Sequence, residues 1–117
     1  MTVAEYIFDF LYSKNCNIVY MVSGSSAMWL TDALYRNKDV TAVCCHHEQA
    51  AAMAADGYGR VNEAPGACLV TIGPGATNAI TGVAQAYLDT MLKTVALAKK
   101  AGIPVLNMHL QRGVYVT

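Results

Sequence analysis

Apolar side chains recur at helical spacing at the start of the chain, directly after a helix-capping signal. Thr2 and Glu5 form a Thr-x-x-Glu capping box, which predicts a helix that begins there and reaches about Asn15. One face of this helix collects apolar residues, as in a helix that packs on a core. These residues are Val3, Ile7, Phe10 and Leu11.

Three strand-to-helix units follow this first helix. Short apolar runs predict strands, which cover residues 18–22, 40–45 and 67–72. Helical patterns follow them and cover residues 28–34, 48–60 and 76–89. This alternation predicts an α/β fold, a doubly wound parallel sheet flanked by helices. The first strand is expected to be buried on both faces, and Trp29 and the methionines are interpreted as core residues.

The pattern changes after Asp89. A second helical pattern over residues 91–100 follows with almost no loop. Two further strands are predicted over residues 103–108 and 114–116. The charge changes at the same place, because residues 1–90 carry four basic and eight acidic side chains, whereas residues 91–117 carry four basic ones and no acidic one. We therefore predict two parts, 1–90 and 91–117, with formal net charges of −4 and +4.

The composition argues against several classes of protein. The formal net charge of these 117 residues is zero, so neither nucleic acid nor an anionic membrane surface is an expected partner. Residues 64–88 carry no charge, but their glycines and polar side chains suit a buried strand–turn–helix unit better than a membrane span. No basic leader opens the sequence, and the four cysteines lack disulfide or zinc spacing. Reduced thiols and a cytoplasmic location are therefore expected.

Glu48 is the most conspicuous candidate for chemistry. It stands where the second strand meets an alanine-rich helix, and ligands of parallel sheets bind at that edge. Taken alone, a glutamate there is more often a helix cap, favoured by the helix dipole. Residues 73–75, Gly-Pro-Gly, either cradle a ligand at a helix N-terminus or make a plain turn. No metal site is expected at residues 44–48, Cys-Cys-His-His-Glu, because neighbouring strand residues point to opposite faces.

Three motifs in a fixed order carry a family resemblance. The first is a strand followed by Gly24 and then Leu-x-Asp-Ala-Leu over residues 30–34. The second is His-Glu-Gln-Ala-Ala with Ala-Asp-Gly-Tyr-Gly-Arg, and the third is Thr-x-Gly-Pro-Gly-Ala-Thr-Asn over residues 71–78. Residues 3–89 thereby resemble the N-terminal pyrimidine-binding (PYR) domain of thiamine diphosphate-dependent enzymes, of the acetolactate synthase, pyruvate oxidase or decarboxylase type.

The resemblance implies a catalytic role for Glu48. The matching glutamate of the family hydrogen-bonds a ring nitrogen of the aminopyrimidine and favours the imino form, which deprotonates the thiazolium carbon. Alanines beside Glu48 would make an apolar setting that raises the pKa of its carboxyl group. His47 either approaches the cofactor or substrate or is simply a packed or surface residue. The cofactor-binding residues implied are Gly24, Glu48, Thr71, Pro74, Gly75 and Asn78.

The resemblance also implies a larger assembly. Small residues on the helices after Glu48 and after Gly75 suit either a dimer or packing within one chain. The implied reaction is decarboxylation or carboligation of a 2-oxo acid, with Mg²⁺ and the diphosphate held by a domain absent from this chain. The family's next strand after Asp89 is missing, and residues 91–117 resemble part of its central domain. The alternative is a non-catalytic module that pairs with a complete thiamine diphosphate-binding chain.

One departure from the family's motifs falls in the first loop. The resembled loop usually reads Pro-Gly, whereas this chain has Ser23 before Gly24. A proline would have fixed the backbone of this loop. Without the proline the loop is expected to be less rigid, which affects the substrate-side geometry.

Overall fold

The computed structural model of the chain describes residues 1–101, 106–109 and 113–116. The chain divides into two compact units, Met1–Gln85 and Ala86–Thr117. The helices are α1 (Val3–Ser13), α2 (Met28–Arg36), α3 (Glu48–Asn62) and α4 (Pro74–Lys100). The strands are β1 (Ile18–Met21), β2 (Thr41–Cys44), β3 (Ala67–Leu69), β4 (Leu106–His109) and β5 (Gly113–Val116).

The first unit is built on a parallel sheet of strand order β2-β1-β3. β1 is the central strand, with Met21 in register with Cys44 of β2 and with Leu69 of β3. The three strands therefore end at one common edge, and each leads into a helix from there. The predicted α/β fold with a parallel sheet flanked by helices is confirmed.

The core lies between one face of the sheet and the first two helices. Val19 and Met21 of β1 point to this face, where they meet Phe8 of α1 and Leu34 of α2. These four side chains are at most 2% exposed, and burying each contributes about 1.5–3 kcal/mol. On the opposite face Tyr20 makes an edge contact with Tyr58 of α3, with ring centroids 6.4 Å apart. Helices therefore cover both faces of the central strand.

The predicted apolar face of α1 is right at Leu11, which packs on the core, but the face as a whole is turned by about one residue. Phe8 is 2% exposed, whereas Val3 is 78% and Phe10 is 48% exposed. The side that meets the core runs through Ala4, Phe8 and Leu11 instead. The capping box itself is present, because the Thr2 side chain accepts from the Glu5 backbone N–H while the Glu5 carboxylate accepts from the Thr2 N–H.

Two other expectations about burial are also wrong. Trp29 is 80% exposed, because the short helix α2 turns Leu30, Ala33 and Leu34 toward the core and leaves Trp29 on its outer side. Among the methionines, Met21 is buried as expected, but Met28 is exposed. β1 alternates between half-buried and buried positions rather than being buried throughout. β2, an edge strand, is exposed along its length.

The predicted helix break after Asp89 is also wrong, since α4 is one continuous helix of 27 residues. The physical reason is that neither glycine nor proline occurs between Val83 and Ala101, so nothing stops the helix there. Near its beginning α4 lies against α3, because a Cβ atom on Gly82 would come within 2.5 Å of the Ala52 Cβ. At Gly82 the small-residue face therefore serves packing within the chain.

The second unit contains the end of α4 and an antiparallel pair of strands. β4 pairs with β5, with Asn107 opposite Tyr115. Both strands overlap those predicted from sequence, although the first three residues of the prediction over 103–108 lie outside the described residues. In the part of the chain that the structure describes, no helix is long and apolar enough to cross a membrane.

Candidate functional site

The edge where the parallel strands end carries Glu48 at the start of α3. Directly before it, His47 has an extended backbone and is the N-cap residue of the helix. The His47 Nδ1 atom accepts a hydrogen bond from the backbone N–H of Gln49 at 3.1 Å. His47 therefore supplies the side-chain cap at this helix start.

The Glu48 carboxylate bonds to a different helix. The side-chain amide of Asn78, on α4, donates from Nδ2 to the Glu48 Oε2 atom at 3.0 Å. The other carboxylate oxygen lies beside Gly75, because a Cβ atom added there would be 3.3 Å from Oε1. The carboxylate is partly buried and Asn78 is exposed, so the pair lies at the surface of this edge.

These contacts lower the pKa of Glu48. The largest cause is the Asn78 amide, which donates to the charged carboxylate; the residue's own backbone N–H and the nearby His47 act in the same direction, while burial opposes them. The expected rise in the pKa of Glu48 is therefore wrong for the chain by itself. The alanines of α3 are indeed buried, but the chain uses them internally, with Ala52 against Gly82 and Ala55 against Gly66.

Replacing Asn78 tests this arrangement. In Asn78→Ala we expect the pKa of Glu48 to move up toward its ordinary value, because the amide donor is lost. A lowered native pKa stabilises the fold above the ordinary carboxyl range, and that contribution is lost as pH falls through the lowered value. The variant should therefore show a weaker fall of stability in acid. Carbon-detected NMR titration of the Glu48 carboxyl group measures the change directly.

Asn62→Ala is a suitable control for this titration. Asn62 is the last residue of α3, and its side-chain amide donates to the Tyr58 carbonyl at 2.9 Å. The same substitution there removes an amide hydrogen bond without touching the carboxylate. An unchanged pKa of Glu48 in Asn78→Ala, or an equal change in Asn62→Ala, would contradict the assignment.

Thr71 lies against two of the predicted glycines, Gly24 and Gly75, and Gly75 in turn borders the Glu48 carboxylate. A Cβ atom on Gly24 would lie 2.5 Å from the Thr71 Cβ, and one on Gly75 would lie 2.7 Å from the Thr71 Cγ2. Both glycines are thus in direct contact with one threonine. In the turn from Thr71 to Gly75, Gly73 has a φ of +70°, a left-handed conformation that favours glycine. The strand β3 therefore ends in a tight turn that delivers Gly75 to the start of α4.

The structure brings together five of the six predicted cofactor-binding residues. The sixth, Pro74, is the first residue of α4, where the missing proline N–H costs no helix hydrogen bond. Its carbonyl accepts from the Thr77 hydroxyl at 2.9 Å, which tightens the same helix start. The five that are linked by contacts are Gly24, Glu48, Thr71, Gly75 and Asn78.

Ser26 also contacts the candidate site, and no sequence pattern reveals it. Its hydroxyl oxygen lies 2.6 Å from the Thr71 Oγ1 atom and also accepts from the Ile72 N–H at 3.1 Å. In the sequence it is one of several small residues in a turn. A contact across 45 residues leaves no periodic signal that could single it out.

The cysteines near the site are free thiols. Burial is the main cause that raises the pKa of Cys68, and the neighbouring Cys45 and Glu48 add to it. Within residues 1–101 and the two described strands beyond them, no group of three His, Cys, Asp or Glu side chains is placed to hold a metal ion. The functional groups of the site are therefore a carboxylate, an amide donor and hydroxyl groups, beside glycines that lie in contact with Thr71.

The chain is similar to a family of enzyme domains and to several acetolactate synthases. Residues 1–91 match the family described as the thiamine pyrophosphate enzyme, N-terminal TPP binding domain. The large subunit of acetolactate synthase isozyme 2 from Escherichia coli is 41% identical over 92% of this chain. A probable acetolactate synthase large subunit from Methanocaldococcus jannaschii is 42% identical over 77% of it. The chloroplastic acetolactate synthase of Arabidopsis thaliana is 36% identical over 75%.

These relatives are much longer than the chain. The matched region makes up 19% of the E. coli protein, 15% of the M. jannaschii protein and 13% of the A. thaliana protein. The family match covers the whole parallel sheet and the edge at which Glu48, Thr71 and Gly75 meet. The chain therefore belongs to the family of N-terminal thiamine pyrophosphate-binding domains of thiamine pyrophosphate enzymes.

Proposed function

We propose that the chain binds the aminopyrimidine ring of thiamine diphosphate at this edge, as the N-terminal part of an acetolactate synthase-like enzyme that acts on 2-oxo acids. The observation that carries the proposal is the Asn78–Glu48 hydrogen bond beside Gly75. An acceptor and a donor side by side, next to a glycine without a side chain, suit a flat heteroaromatic ring with nitrogen atoms at its edge. The residues present therefore fit the pyrimidine end of the cofactor.

Each residue has a distinct task in this proposal. Glu48 holds a proton at one carboxyl oxygen, directed at a ring nitrogen, and Asn78 keeps the carboxyl group in place. A ring seated there would exclude water from the carboxyl group, and this desolvation would raise the pKa of Glu48 from its lowered value. Gly24, Thr71, Pro74 and Gly75 shape the surface on which the ring lies. When bound, thiamine diphosphate supplies the carbon nucleophile for the reaction with a 2-oxo acid.

The diphosphate end needs groups that this site lacks. No metal-binding cluster lies within the described residues, and the site's own side chains are neutral or acidic. We propose that the chain forms a homodimer or pairs with a partner chain in the cytoplasm, and that Mg²⁺ and the diphosphate are held by a domain that the described residues do not include. The alternative is that the chain is a non-catalytic module that pairs with a complete thiamine diphosphate-binding chain.

Titration of the isolated chain tests the proposal. With thiamine diphosphate and Mg²⁺ we expect weak binding, roughly millimolar, because the described residues contact only the ring and include no diphosphate site. NMR of the ¹⁵N-labelled chain should show the largest shifts at the Asn78 side-chain amide and at the Gly75 N–H. An analogue whose pyrimidine ring nitrogens are replaced by carbon is the matched control and should leave the Asn78 signal unchanged.

Two results would contradict the proposal in different ways. Micromolar binding by calorimetry would show that the chain holds the diphosphate as well, against the half-site assignment. Shifts confined to residues away from this edge would remove Glu48 and Asn78 from the site. In the resembled family a Gly-Asp-Gly segment binds magnesium and the diphosphate, so finding one in a neighbouring reading frame would favour the enzyme over the non-catalytic module.

A further inference from the structure

Ser26 connects two loops that are far apart in the chain. It lies in the 3-10 turn Ser25–Ala27, after β1, whereas Thr71 and Ile72 follow β3. The hydroxyl groups of Ser26 and Thr71 share a hydrogen bond of 2.6 Å. The Ile72 N–H donates to the Ser26 hydroxyl oxygen at 3.1 Å. Ser26 thus fixes a side chain and a backbone group of the second loop at once.

The position of Thr71 determines the shape of the candidate site. Gly24 and Gly75 both lie so close to Thr71 that a Cβ atom on either would overlap it, and Gly75 also borders the Glu48 carboxylate. A movement of Thr71 would therefore open or close the space between the two glycines. Ser26 is the residue whose hydroxyl holds Thr71 from the side of the first loop.

We infer that Ser26 is a positioning residue of the site: its hydroxyl ties the loop after β1 to the turn after β3 and thereby sets the gap between Gly24 and Gly75. It acts through Thr71 and Ile72. The same contact explains how the loop after β1 keeps its conformation with Ser23 in place of the expected proline. The hydrogen bond between the loops restrains the backbone, as the proline ring would have done. The inference takes its ligand from the proposed function, whereas the loop-to-loop contact stands independently of it.

Three variants of the full chain test this role. Ser26→Ala removes both hydrogen bonds, and Ser26→Thr keeps a hydroxyl group at the same place. Ser25→Ala is the control, because the neighbouring Ser25 hydroxyl makes no hydrogen bond within the described residues. Amide hydrogen exchange at Ile72 should be roughly tenfold faster in Ser26→Ala, as expected for one lost hydrogen bond, and should be restored in Ser26→Thr.

A second measurement separates positioning from a general effect on stability. NMR titration with thiamine diphosphate and Mg²⁺ should give a Kd at least about threefold weaker for Ser26→Ala, at an unchanged melting temperature, with recovery in Ser26→Thr. Equal affinity of Ser26→Ala and the unaltered chain would overturn the inference. A lack of binding by the unaltered chain would instead count against the proposed function. In that case unchanged exchange at Ile72 in Ser26→Ala would still overturn the role of Ser26, and faster exchange would support it.

Discussion

Gly66→Ala is expected to destabilise the chain by about 3 kcal/mol. Gly66 lies between α3 and β3, and a Cβ atom there would overlap the backbone carbonyl group of Ala55. Because Ala55 is buried within a helix, neither partner can move aside without shifting backbone. Chemical denaturation should show the loss in the free energy of unfolding, and the melting temperature should fall by roughly 10–20 °C.

Gly57→Ala provides the matched comparison. Gly57 lies inside α3, and a Cβ atom there would have no neighbour within 4 Å. Alanine is the better helix former, so this variant is expected to gain about 0.5–1 kcal/mol. Opposite signs for the two substitutions would establish that the Gly66 effect comes from the close contact. Equal stability of Gly66→Ala and the unaltered chain would contradict the close approach of α3 to the loop before β3.

Glu48→Gln is expected to reduce cofactor activation by roughly 10²–10⁴-fold in the assembled complex, the range typical of a lost acid–base group. The glutamine side chain keeps an oxygen that can accept from Asn78, so the contact between α3 and α4 is preserved. It cannot, however, exchange a proton with a ring nitrogen. The measurement is deuterium exchange at the thiazolium carbon of bound thiamine diphosphate, followed by NMR.

A second glutamate of the same region controls for charge. Glu63 is the C-cap residue at the other end of α3, so Glu63→Gln removes the same charge away from the site. It should leave the deuterium exchange unchanged. Unfolding curves should show both variants folded. Exchange as fast in Glu48→Gln as in the unaltered complex would exclude Glu48 from the proposed mechanism.

The fold was largely predictable because its signals are local. Strand and helix periods, the capping box and the glycine turns each depend on a few neighbouring residues, and their alternation allows few topologies. The buried face of α1 was not predictable, since apolar residues occupy two overlapping stripes, one through Val3, Ile7 and Phe10 and one through Ala4, Phe8 and Leu11. Only the position of the sheet chooses between these stripes.

The sequence predicted that the candidate residues lie close together, but it did not predict the electrostatics of Glu48. The motifs pointed to Glu48, Thr71, Gly75 and Asn78, which the structure places together. The direction of the Glu48 pKa shift depends on which group donates to the carboxylate, and that donor comes from a helix 30 residues away. The alanines that suggested an apolar recess around Glu48 pack against Gly82 and Gly66 instead. Ser26 was hidden for the same reason, because its partners are distant in sequence.

Gly82 connects the packing of α3 against α4 with the pKa of the Glu48 carboxyl group. Gly82 lies four residues after Asn78 and Ala52 lies four residues after Glu48, so the two pairs occupy successive turns of the same helix–helix seam. Because Gly82 has a hydrogen atom where alanine has a methyl group, α4 can lie close to α3, and this closeness brings the Asn78 amide to the Glu48 carboxylate. A larger residue at position 82, one helical turn from Asn78, would change the proton affinity of Glu48 while every functional group of the site stayed the same.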